Sequence, residues 1–81
     1  MSATVTEEQI EKVVVDSLES FGAEREEITR EATLDGLGID SIDLAELSQI
    51  VGEDFGIELK GSDVAEVKTV DDAIRLILAR V

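Results

Sequence analysis

The chain has 81 residues, a net charge of −13 from 20 acidic and 7 basic residues, and no cysteine, histidine, proline, tryptophan or tyrosine. Those absences exclude disulfide staples, a Cys/His metal cluster and any nucleophile activated by a histidine base, while the acidity sets the chain against nucleic acid, whose phosphates would meet a like-charged surface. A hydrophobic fraction of 43% with Phe21 and Phe55 as the only aromatics describes one small globular domain over residues 1–81 with a modest aliphatic core.

Residues 1–4, Met-Ser-Ala-Thr, show no basic region leading into an apolar run, and no apolar stretch approaches the roughly 20 residues of a bilayer span. A cytoplasmic protein without a membrane role is expected. Thr6-Glu7-Glu8-Gln9 reads as a capping box with Thr6 at N-cap and Gln9 at N3, and Val5 and Ile10 stand where a hydrophobic staple would place them. From there Ile10, Val13, Val14, Leu18 and Phe21 recur at three- and four-residue steps, which outweighs the strand preference of Val13-Val14-Val15, and Gly22 marks the stop.

Between residues 23 and 40 the period disappears. Glu24, Arg25, Glu26 and Glu27 lead into Ile28, Leu34, Leu37 and Ile39, irregularly spaced around Gly36 and Gly38. A long ordered loop is predicted, and loops of that length in compact domains are usually functional. Asp40 then supplies an N-cap for the clearest helix, residues 41–55. On its wheel Leu44, Leu47, Val51 and Phe55 fall within about 80° of arc and form the predicted buried face. Asp43, Glu46, Glu53 and Asp54 occupy a second arc of about 100°, with Ile50 inside it and Ile42 near its edge.

Gly56 closes that helix, with Ile57 as its hydrophobic follow-on, and Ser62 is expected to cap a short turn through Glu66. Thr69, with Asp72 at N3, opens a last helix whose stripe is Val70, Ala73, Ile74, Ile77, Leu78 and Val81. No alternating run marks a strand. The predicted fold is all-α, a small four-helix bundle of three main helices and one short one, with a long loop between the first two.

The segment Leu37-Gly38-Ile39-Asp40-Ser41-Ile42 is the most unusual in the chain. A flexible turn and an Asp cap would account for an arbitrary Asp-Ser pair. Here, however, the serine follows a long loop in the first turn of a helix, where its hydroxyl projects outward and a helix N-terminus favours an attached phosphate. Lacking a histidine or a well-placed lysine, Ser41 has no base within this chain, so an external enzyme must drive any reaction at it. A calcium loop starting at Asp35 and ending at Glu46 fails internally, since its third and fifth positions are Leu37 and Ile39 and its sixth, where glycine is needed, is Asp40. No metal site is predicted. The segment from Asp40 to Glu66 holds eight acids against Lys60 alone, an imbalance that favours a docking surface over a merely solvated face.

Leu37-Gly38-Ile39-Asp40-Ser41-Ile42-Asp43, followed by Glu46-Leu47 and by Glu53-Asp54-Phe55-Gly56-Ile57, resembles the acyl carrier protein family. The similarity runs over nearly the whole chain and includes the capped first helix, Ile28-Thr29 and the helix start at Thr69-Val70-Asp71-Asp72-Ala73. It implies a non-enzymatic carrier whose Ser41, supported by Gly38, Asp40 and Ile42, receives phosphopantetheine from coenzyme A through a separate magnesium-dependent phosphopantetheinyl transferase. Acyl groups would then ride as thioesters on that arm, which suits a chain with no thiol of its own. Asp43, Glu46, Ile50, Glu53 and Asp54 would dock basic patches on the transferase, on an acyltransferase, on a ketosynthase and on other pathway enzymes. Leu47, Val51, Leu59, Val67 and Ile74 would line an acyl pocket.

The chain departs from the family's usual pattern at several points. Ile42 replaces leucine, Gln49 stands at an apolar contact position, and Gly52 and Gly36 stand where acids are common. These leave a polyketide or other secondary-metabolite carrier as open as fatty-acid synthesis, an aminoacyl cargo included. Starting at Met1 and ending with the last helix, the chain reads as a discrete, monomeric carrier. An unmodified acidic helical interaction module is the competing class, and a divalent-cation sensor a third.

Overall fold

A computed structural model describes residues 5–81, so the reading of residues 1–4 lies outside the described residues. The chain forms helices α1 (Glu7–Ser20), α2 (Ser41–Phe55), α3 (Gly61–Val64) and α4 (Val70–Leu78), with a single 3₁₀ turn at Arg25–Glu27. This is the all-helical bundle expected, three main helices and one of a single turn. Helix α1 packs against both α2 and α4, and α3 lies against α2.

The local signals act where the sequence puts them. The Thr6 hydroxyl accepts the Gln9 N–H at 3.2 Å while the Gln9 amide oxygen accepts the Thr6 N–H at 3.0 Å, and Thr69 with Asp72 repeats the box at α4. Past Gly22 the Ala23 N–H returns to the Leu18 carbonyl at 3.1 Å, closing α1 in a Schellman-type turn. Ile10, Val14, Leu18, Val51, Val70, Ile74 and Ile77 make the fully buried centre.

Three expectations need correction. In α2 only Leu47 and Val51 are buried; Leu44, which borders a cleft, and Phe55, the last residue of the helix, are half-buried against the core. In α4, Leu78 falls at the edge of the buried arc and Val81 beyond the helix end, and both are exposed. Ser62 does not cap α3. The Asp63 carboxylate accepts the Lys60 N–H at 3.1 Å and the Val64 N–H reaches the Lys60 carbonyl at 3.1 Å, so the helix starts at Gly61 with Ser62 inside it.

The long loop between α1 and α2 is tied down by backbone. Leu34 N–H donates to the Lys68 carbonyl at 2.9 Å, while Val70 and Asp71 N–H donate to the Ala32 and Arg30 carbonyls at 3.0 Å each. Residues 30–34 thereby run beside the start of α4, with one antiparallel bridge, Thr33 to Thr69, as the only strand-like pairing among the described residues. Leu34 and Ile39 bury their side chains beneath this stretch. The guanidinium of Arg30 adds a second tie, reaching Glu7 (2.7 Å) and Glu11 (3.2 Å) on α1 and Asp71 (2.8 Å) on α4. Pinned at both ends of its middle section, the loop delivers residues 37–40 to one place.

Candidate functional site

That place is the N-terminus of α2. The Ile39 N–H closes a turn onto the Leu34 carbonyl at 2.9 Å, and the turn passes through Gly38 at φ +80°, a left-handed conformation that a side chain resists. Asp40 follows in extended conformation, and its carboxylate accepts the Asp43 N–H at 3.0 Å, satisfying one of the free donors of the first turn. The Asp43 carboxylate in turn receives the Asp40 N–H at 3.4 Å. With both neighbours so engaged, Ser41 begins the helix with its side chain exposed. The aligned peptide dipoles of the 15-residue helix favour negative charge at this end.

Ser41 also stands at the wall of an open cleft of about 610 Å³ between α2 and residues 57–65. Along the middle of its α2 wall run small residues, Ser41, Ala45, Ser48 and Gly52, within about 60° of helical arc between the buried and the acidic faces, with Leu44 and Gln49 to either side. Opposite stand Ile57, Leu59 and Val64, with Glu53 and Glu58 at the exposed rim. Beneath lies a second, wholly apolar void of about 20 Å³, bounded by Leu47, Val51, Val67, Ala73 and Ile77, room for one water-sized group. Leu44, Ser48, Leu59 and Val64 border both spaces and partition them.

The five residues expected to line a pocket therefore divide. Leu47, Val51 and Val67 face the inner void and Leu59 both spaces, whereas Ile74 is fully buried and borders neither. Sequence reasoning did not find Ala45, Ser48 or Val64. The first two fall on the arc of α2 between its two named faces, where small residues carry no hydropathy signal. Val64 depends on where the one-turn α3 starts, which the sequence leaves ambiguous.

On the other side of α2, Glu46, Glu53 and Asp54 are exposed, Asp43 and Ile50 half-buried, and Ile42 is 73% exposed. The ion pairs among the described residues join acids of α1, α3 and α4 to Lys12, Arg25, Arg30, Arg75 and Arg80; none includes an acid of α2. The charge of this face is thus uncompensated within the fold, which leaves it free to attract a basic partner. Among the described residues no three acidic side chains converge to hold a metal ion.

Residues 11–77 match the family model described as phosphopantetheine attachment site. The chain is 42% identical over 72 residues to the acyl carrier protein of Nitratidesulfovibrio vulgaris, an alignment covering 88% of this chain and 91% of that protein. Among solved structures it is similar to the acyl carrier protein of Thermotoga maritima, with a TM-score of 0.75, 26% identity and coverage of 90% and 86%. The fold is also shared, at a TM-score of 0.73 and 20% identity over 98% of this chain and 93% of the other, with the 3,7-dioxo-octyl actinorhodin acyl carrier protein of Streptomyces coelicolor.

Proposed function

The chain belongs to the acyl carrier protein family, and from that premise we propose that Ser41 is the residue that carries phosphopantetheine and that all 81 residues serve as one carrier domain. The observation that carries this reading is the exposed Ser41 side chain at the first position of α2, at the edge of a cleft of about 610 Å³. The residues there suit the group. The helix N-terminus favours its phosphodiester, and the adjoining cleft offers apolar surface to whatever the arm bears. When bound, the group supplies the thiol that this cysteine-free chain lacks, and acyl groups are held on it as thioesters.

The chain's own part is presentation. Gly38 and the Asp40 cap fix the start of α2, so the Ser41 oxygen is offered in a defined position. Its proton must pass to a base on the transferase, because the chain has no histidine and the Asp40 carboxylate is engaged in the cap. Asp43, Glu46, Ile50, Glu53 and Asp54 form the docking face for the phosphopantetheinyl transferase and for pathway enzymes with basic patches, acyltransferase and ketosynthase among them. Charge speeds such encounters while adding little lasting affinity, as a shuttle requires. Leu47, Val51, Leu59 and Val67 wall the inner void, which a long acyl chain reaches only by parting Leu44, Leu59 and Val64. The carrier works as a monomer in the cytoplasm; among the described residues no helix is long and apolar enough to cross a membrane.

Intact mass after exposure to coenzyme A, magnesium and a broad-specificity transferase tests this reading. A mass gain of one phosphopantetheine per chain supports it. An unchanged mass would return the protein to an unmodified acidic interaction module, and tight stoichiometric calcium binding would make it a cation sensor.

A further inference from the structure

Glycine is among the poorest helix formers, yet Gly52 sits inside α2, four residues before the Gly56 cap. The structure supplies a reason for it. A Cβ at residue 52 would stand 3.0 Å from the Ile57 carbonyl oxygen, inside the roughly 3.3–3.6 Å at which carbon and carbonyl oxygen ordinarily meet. The missing side chain lets the segment after Gly56, which turns back at φ +67°, lie directly against the helix it has just left. Gly52 also lines the cleft that begins at Ser41. Eleven helical steps separate the two, about 16 Å along the axis.

We propose that Gly52 is a specificity-determining residue: it sets the width of the far end of the cleft, and with it the length of acyl cargo that the arm on Ser41 can shelter there. The inference rests on the carrier reading of Ser41. Between Ser41 and Gly52 the middle of the α2 wall is Ala45 and Ser48, with the larger Leu44 and Gln49 to either side of that small-residue strip. Ile57 and Leu59 form the opposite wall, so an aliphatic chain that reaches them leaves water, and each further methylene sheltered adds to the stability of the loaded form. A side chain at residue 52 acts by occupying the end of the cleft, where its Cβ already stands 3.0 Å from the Ile57 carbonyl oxygen. Glu53 and Glu58 on the rim repel a carboxylate-ended chain, so the cargo favoured is uncharged at its tip.

The test uses wild type, Gly52→Leu and Gly52→Ala, each loaded from coenzyme A thioesters of a series of saturated acyl chains. Intact mass is read first, then the melting temperature of each acyl form minus that of its own holo form, which cancels the substitution's effect on the fold. In the wild type this increment should grow with chain length to several degrees. In Gly52→Leu the growth should stop at a shorter chain and the longest-chain increment should fall by at least half, with Gly52→Ala between the two and all three loaded equally. Equal length dependence in all three proteins, or none in the wild type, would overturn the proposal while leaving the carrier reading intact. If Gly52→Leu loses its helical circular dichroism, the alanine variant decides alone. Failure of the wild type to gain mass would overturn the carrier reading, and this inference with it, before any melting curve is read.

Discussion

Ser41 is exposed because of what Asp40 does. The Asp40 carboxylate holds the Asp43 N–H at 3.0 Å, and the helix can begin one residue later with a hydroxyl on its outer rim. Asp40→Ala should therefore cost about 0.5–2 kcal/mol, the usual worth of an N-cap, seen as a lower urea midpoint, and should slow transferase loading because the first turn frays. Asp40→Asn, which keeps the acceptor, should restore most of the stability. Equal stability of the alanine variant and wild type would mean that Gly38 and the loop alone fix the helix start. Caps of this kind are legible in sequence because donor and acceptor lie three residues apart, as they do at Thr6, Asp40 and Thr69. Ser62 misled because α3 has one turn, and two adjacent starts satisfy the same pattern until Asp63 chooses Lys60.

At the scale of elements, α2 divides its circumference into a buried face, an acidic face and a cleft face of small residues. The first two were evident from hydropathy and charge. The third was not, because small residues carry no hydropathy signal and the cleft exists only once residues 57–65 fold back. Glu46→Lys with Glu53→Lys should slow phosphopantetheinylation and flatten its dependence on ionic strength, since the reversed charges no longer steer a basic partner. These are cleaner probes than Asp43, whose carboxylate also receives the Asp40 N–H and whose loss would confound docking with capping. Rates unchanged across a salt series would show the face to be merely solvated. Arg30 belongs to the same scale, because it reaches three carboxylates on two helices and its side chain is only 29% exposed. Its long-range partners lie 19 to 41 residues away, which no local pattern reveals. Arg30→Ala should lower stability by about 1–3 kcal/mol in urea unfolding. Arg30→Lys should recover only part of that, a single ammonium being unable to span the set. Full recovery by lysine would reduce the cluster to a simple charge effect.

For the whole molecule, a net charge of −13 opposes compaction while local ion pairs and caps resist it. The ion pairs are mostly exposed and individually weak, so moderate salt should raise the melting temperature by screening the repulsion more than it loses in pairing. Acid acts in the other direction. Asp71 is held below the usual carboxylate range by Arg75 and Arg30, Asp63 by the Lys60 N–H and Arg80, Asp72 by the Thr69 and Lys68 N–H groups, and Asp16 by Lys12. Each binds its proton more weakly folded than unfolded, so its contribution is complete above the unfolded value of about 3.9 and is lost as pH falls through the lower folded values. Stability should hold or rise slightly from pH 7 to about 5 as the net charge shrinks, then fall steeply below about 4. A melting temperature that climbs continuously down to pH 3 would mean that repulsion outweighs every cap and pair. The broad helical layout was thus legible in the sequence. The balance of long-range ties was not, since it depends on which distant residues the loop brings to α4.

If one hydroxyl, Ser41, carries the arm, the intact masses of Ser41→Ala, Ser48→Ala and Ser62→Ala must differ after identical exposure to coenzyme A, magnesium and transferase. Ser48 lines the same cleft, with its hydroxyl donating to the Leu44 carbonyl at 3.0 Å, and Ser62 lies in α3, so both are controls for position. Ser48→Ala and Ser62→Ala should gain the full mass and Ser41→Ala none, with helical circular dichroism preserved in all three. A mass gain in Ser41→Ala would contradict Ser41 as the carrier of the arm.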